Sequence, residues 1–116
     1  MTYDELKTAF IEKCVKYSVP TAWHSFIQIP PKVHCFGTYC RTATTFDGAD
    51  MLAMYRVDNV RIAVFYKDGM TDSDEAFERE LEESFRPVGR FVKNSDYDSS
   101  NGLFYSVYEF ETMENL

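Results

Sequence analysis

Long apolar runs are missing from this sequence, and so is any excess of positive charge. The uninterrupted apolar stretches run to only a few residues, far below the roughly 20 needed to span a bilayer. Met1 is followed by Thr2, Tyr3, Asp4 and Glu5, with no basic segment leading into an apolar one, so no secretory signal and no membrane association are expected. Twelve Lys and Arg stand against 19 Asp and Glu, a net charge of −7. That balance argues against tight, sequence-independent nucleic-acid binding, whose electrostatic part needs clustered bases. It is compatible with a surface past which DNA slides without sticking.

Histidine occurs only as His24 and His34, and cysteine only as Cys14, Cys35 and Cys40. Neither histidine sits in a His-Glu-x-x-His spacing. Cys35 and Cys40 are five apart on a predicted strand, an odd offset that sends them to opposite faces. No zinc set arises from that spacing, and an odd thiol count without an export signal reads as reduced cysteine. Five glycines form neither a phosphate loop nor a dinucleotide fingerprint, and no Gly-x-Ser-x-Gly elbow occurs. A Cys–His nucleophile pair assembled in space stays open as an enzymatic reading. The expectation is a protein without catalytic residues, cofactor or metal.

What the sequence does hold is aromatic surface. The 116 residues, read as one domain spanning 1–116, are 45% apolar and 16% aromatic. That is more than one small core needs, and an oligomeric interface is the natural home for the surplus.

A first helix is expected over Tyr3–Lys16, opened by a Thr2/Glu5 capping box. Leu6, Phe10 and Cys14 recur every four residues along it, flanked by Ile11 and Val15. Ala22–Ile27 is a short candidate strand before Pro30-Pro31, and Val33–Thr45 a second. Met54–Tyr66 is the clearest strand, with Val60, Ile62, Val64 and Tyr66 on one face. After Asp68-Gly69 a second helix is expected over Asp72–Arg86, with Phe77, Leu81 and Phe85 as its apolar stripe. Strands over Arg90–Tyr97 and Leu103–Thr112, joined around Asn101-Gly102, complete the chain. The order α-β-β-β-α-β-β implies an α+β domain, two helices packed on a mainly antiparallel sheet.

Two segments are candidate sites. Phe46, Asp47, Gly48, Ala49 and Asp50 read as a turn-like connection, bracketed by Phe46 and Met51. Its plain role is a strand connection in which Gly48 supplies a positive φ, and its functional role a loop that docks on a neighbouring subunit. On the second helix, Glu75, Glu78 and Glu82, with Glu83 beside them, are expected on the solvent side. Their spacing of three and four reads as an acidic stripe opposite the apolar one, able to line a channel.

Taken together, these segments resemble a family of small tail proteins of long-tailed bacteriophages and prophages, particularly those of Gram-positive hosts. The resemblance rests on five parts: the amphipathic helix Tyr3–Lys16; the aromatic segment Ala22–Pro31 with its double proline; the Phe46–Asp50 segment, similar to Phe-Gly-Ala-Asp with one residue inserted; Arg61–Asp68, ending in Tyr-Lys-Asp before a Glu-rich helix; and the final aromatic hairpin over Leu103–Glu111. Such proteins are similar to the tail terminators of lambda-like phages. The resemblance implies a homo-oligomeric ring, a hexamer, closing the tail tube in the virion after assembly in the bacterial cytoplasm. It implies the major tail tube protein and a head-closure or neck protein as partners, with DNA passing through unbound. A head-closure protein, and a small acidic phage protein that binds a host partner, are the alternative readings.

Overall fold

The computed structural model describes residues 1–49 and 52–116, so Asp50 and Met51 lie outside the described residues. Helix α1 runs over Tyr3–Lys16 and helix α2 over Asp72–Phe85. Both begin where a threonine meets an acid three residues on. Thr2 and Glu5, and Thr71 and Asp74, close reciprocal side-chain-to-backbone bonds that satisfy two orphan amides each. The strands are β1 (Thr21–Trp23), β2 (Cys35–Ala49), β3 (Leu52–Lys67), β4 (Phe91–Asp98) and β5 (Leu103–Asn115). They form one sheet in the order β1-β2-β3-β5-β4. Only β1 against β2 is parallel, and the other three pairs are antiparallel. This is the expected α+β architecture.

Both helices lie on one face of the sheet. Leu6, Phe10 and Cys14 of α1 and Phe77, Leu81 and Phe85 of α2 meet Val60, Ile62, Val64 and Tyr66 of β3 and Tyr108 and Phe110 of β5. Burying each large apolar side chain contributes about 1.5–3 kcal/mol. Phe10 reaches the sheet because Gly37 is bare: a Cβ there would stand 2.7 Å from the Phe10 ring. Val15, expected beside the α1 stripe, is exposed. On the opposite face Phe36 stacks on Phe65, which adjoins Tyr105, and Phe26 packs edge-on against Phe36.

Several expected boundaries differ from the structure, most by one or two residues. The candidate strand over Ala22–Ile27 pairs only through Thr21–Trp23, because His24 enters the left-handed region at φ 65° and turns the chain away. The second helix stops at Phe85, and Arg86–Val88 forms a 3-10 turn in which Pro87 blocks continuation. Strand β5 runs on to Asn115, paired with Tyr55. Most consequential is β2, which does not end at Thr45. It continues through Phe46, Asp47 and Gly48 to Ala49, with Phe46 opposite Arg56 and Ala49 opposite Leu52.

The long strands are more than twice the length of the helices that cover them. A 14-residue helix is about 21 Å long, whereas the 16 residues of β3 extend roughly 50 Å. The molecule measures 53 × 27 × 21 Å. The outer half of β2, the first half of β3 and the end of β5 therefore outrun the helices as a three-stranded arm.

Candidate interaction surface

The arm carries the first candidate segment. Phe46 is 58% exposed, with the Arg56 guanidinium 6.0 Å from the ring centre. Asp47 accepts a hydrogen bond from the Gly48 amide at 2.8 Å. Gly48 is on a strand and not at a positive φ, which corrects the turn reading. Its glycine is required by close approach instead: a Cβ would run into the Leu52 carbonyl oxygen and lie 2.7 Å from the Met54 amide. Ala49 ends the strand. Asp50, the last residue of the segment, lies outside the described residues. Around Phe46 the arm exposes Leu52 (70%), Met54, Tyr55, Met113 (61%) and Leu116. Strand pairing overrode the local turn composition, as cross-strand context commonly does.

At the arm's base sits Asp58, only 3% exposed. It accepts the Thr44 hydroxyl at 2.6 Å, and Arg56 and Arg41 approach its carboxylate at 3.3 and 3.9 Å. Arg41 in turn lies over the Tyr3 ring at 4.2 Å, tying the arm to α1. Asp58 did not stand out in the sequence. The available signal was an acid in phase with Val60, Ile62 and Val64 on the buried face of β3.

The acidic stripe on α2 does not exist as expected. Glu75 is exposed and Glu82 half-buried, but Glu78 is 3% exposed and packs against the sheet. The reason is angular. At about 100° per residue, Glu78 lies only roughly 20° from Phe85 and 60° from Leu81 around the helix, beside the apolar stripe and not opposite it. Its carboxylate accepts from Tyr66 at 2.5 Å, Ser106 at 2.8 Å and Tyr108 at 3.4 Å. Lys93 reaches it from β4 at 2.6 Å and touches Glu82 at 3.5 Å. Glu78 therefore cannot line a channel, and the three-glutamate assignment falls with it.

Charges in this network follow the burial. Tyr66 is pushed well above its ordinary range, first by burial and then by its hydrogen bond to Glu78. Tyr108 is raised for the same first cause. Burial pulls Lys93 down, but its contacts with Glu78 and Glu82 carry it above the usual lysine value. Every buried side-chain polar atom among the described residues has a hydrogen-bond partner. The arrangement is closed and saturated, a clamp that fixes α2 over β3, β5 and β4.

His34 and Cys35 lie beside a cleft of about 330 Å³ between the end of α1 and the start of α2. His34 Nε2 is 2.6 Å from Asp74 Oδ2, and that same carboxylate caps α2 through the Thr71 amide. Burial, then the nearby Asp74 charge, raises the Cys35 thiol far above its ordinary value. A thiol held protonated is a poor nucleophile. Cys14, Cys35 and Cys40 are all free. Among the described residues no group of three or more His, Cys, Asp or Glu is placed to hold a metal ion. Among the described residues no helix is long and apolar enough to cross a membrane.

No protein-family model matches the chain, and no curated protein matches it either.

Proposed function

We propose that this chain is a structural subunit of a long-tailed phage, a tail terminator that assembles into a ring, closes the tail tube and joins it to the head-closure or neck protein. The observation that carries the reading is the arm. A small domain that has already buried one saturated core extends its sheet past the helices and exposes Phe46, Leu52, Met54, Met113 and Leu116 at the end. Such an apolar extension is an assembly device or an aggregation hazard, and a ring of identical copies uses it as the former. The order of elements agrees with the resemblance drawn from the sequence. The net charge of −7 per copy agrees with a conduit that DNA phosphates pass without being held.

Addition of the purified chain to capless tail tubes, followed by electron microscopy, tests this reading. The expected result is a ring on one end of each tube and tubes of defined length that join heads. Tubes left bare at both ends, with the protein free in solution, would reject it.

A further inference from the structure

The arm has two open sheet edges, and they differ in charge. Strand β1 covers β2 only from Gly37 to Tyr39, and β4 covers β5 only as far as Phe110. Among the described residues no strand pairs with the outer side of β2 beyond Tyr39 or of β5 beyond Phe110.

Which backbone groups point outward can be traced. The Gly37 amide donates to Pro20 at 2.9 Å, and Tyr39 accepts from the His24 amide at 2.8 Å, so these residues face β1. The register shift between Arg41 and Ala43 inserts one residue, which makes Thr44 and Phe46 the outward-facing positions on the arm. On β5 the Leu116 amide donates to Met54 at 3.0 Å. Alternation from there turns Glu111, Met113 and Asn115 outward.

The body's edges are guarded against pairing by brevity and by an inward lysine, and the arm's edges have neither. Strand β1 has three residues, and β4 carries Lys93 turned inward to Glu78 together with Asp96 and Asp98. Residues 43–49 and 111–115 contain neither lysine nor proline. The β5 edge carries Glu111 and Glu114, whereas the β2 edge carries Arg41 at its base and Asp47 as its one described acid, with Arg56 on the next strand. Pairing two β5 edges about a two-fold axis would set glutamates against glutamates, at a cost. The β2 edge of another copy sets only Asp47 against them, because Arg41 and Arg56 at its base already face Asp58.

We infer that the arm joins copies by strand addition, the β5 edge of one copy pairing with the β2 edge of the next. The inference rests on the ring reading and names its contact. Both strands are antiparallel to β3, so in a ring with its arms along the axis the new pair is parallel. Each copy uses one edge of each kind, which is the heterologous contact that closes into a ring when the rotation permits.

Proline at an outward amide is tolerated by an edge strand but cannot donate to a new neighbour. Thr44→Pro and Met113→Pro should therefore each remain folded by circular dichroism and fail to form rings. Mixed one to one, they should give a heterodimer of twice the monomer mass in sedimentation and nothing larger, because each variant retains the edge that the other lacks. A mixture that stays monomeric, or Thr44→Pro dimerising alone, overturns the inference. Rings formed by both variants as readily as by the parent chain overturn it while leaving the ring reading intact. A parent chain that stays monomeric, alone and on tail tubes, overturns both. If a proline variant unfolds, cysteine pairing decides: in a Cys40→Ser background, Thr45→Cys mixed with Met113→Cys should cross-link between copies, and neither should do so alone. No cross-link in the mixture counts against the inference.

Discussion

Strand β3 belongs to two different environments along its own length. From Val60 to Tyr66 its helix-facing residues are buried under α1 and α2, and from Leu52 to Tyr55 every residue is exposed. The same residue types occur in both halves, so hydrophobicity alone does not separate core from arm. Helix coverage does. Where the helices end, an apolar side chain stops contributing to the monomer and becomes available to another surface. The body and the arm should therefore answer mutation in opposite ways, one in stability and the other in association.

The largest stability loss is expected in the body. Phe85 is fully buried, with Phe91, Tyr108 and Phe110 around its ring. Phe85→Ala should cost about 3–5 kcal/mol, read as a lowered urea midpoint. Leu52→Ala in the arm should stay within about 0.5 kcal/mol, as an exposed substitution does. Equal losses would mean that the arm is packed and the division is wrong.

Next comes Glu78→Ala. It strands the Tyr66 hydroxyl, leaves Ser106 only its contact with Ser95 and takes from Lys93 its closest carboxylate, a loss of about 3 kcal/mol. Glu78→Gln retains an acceptor and should lose clearly less. If the two variants were equally stable, the network would be decoration on a packed interface and not a clamp.

These residues also show what a sequence conveys and what it withholds. The helix starts were legible because capping is local: Thr2 with Glu5 and Thr71 with Asp74 act within one turn. The buried phase of β3 was legible because β-branched and aromatic residues alternate there. The length of β2 was not, since Asp47-Gly48 is turn chemistry unless another strand claims it, and that strand lies beyond the turn. Glu78 was misplaced for a different reason. Carboxylates are ordinarily solvated, and only the angular position beside Phe85 together with distant Tyr66, Ser106 and Lys93 makes burial tolerable. The segment Phe46–Asp50 was read as a loop, whereas its described residues 46–49 are strand.

Alkaline pH should strain the body through its thiols and phenols. Burial raises Cys14 from its ordinary value of 9.0 to about 12, so the folded state holds this proton more tightly than the unfolded chain does. The associated stability is complete below pH 9 and is lost as the pH rises from 9 to about 12. Cys35, Tyr66 and Tyr108 are shifted in the same direction, each first by burial, and so steepen the fall. Urea midpoints should decline over that range, with a shallower slope in Cys14→Ala. A midpoint constant from about pH 9 to 11 would show that these groups are not excluded from water as the fold requires.

A small effect on the monomer, and the most informative for function, is expected from Phe46→Ala. The ring is 58% exposed with the Arg56 guanidinium beside it, a contact worth about 0.5–1 kcal/mol at an exposed site. The melting midpoint of the monomer should therefore fall by no more than about a few degrees. On the arm, by contrast, Phe46 is an outward-facing residue on the edge proposed to meet a second copy, and large aromatic side chains at the centre of an interface commonly dominate its affinity. Removal of more than about 1.4 kcal/mol from each contact lowers every association constant more than tenfold, and a closed ring multiplies that loss over all its contacts. Completed tails counted in micrographs should fall far more steeply than the monomer's stability does. If stability fell and assembly survived, Phe46 would belong to the body, and the line between the two regions would have to be drawn nearer the tip.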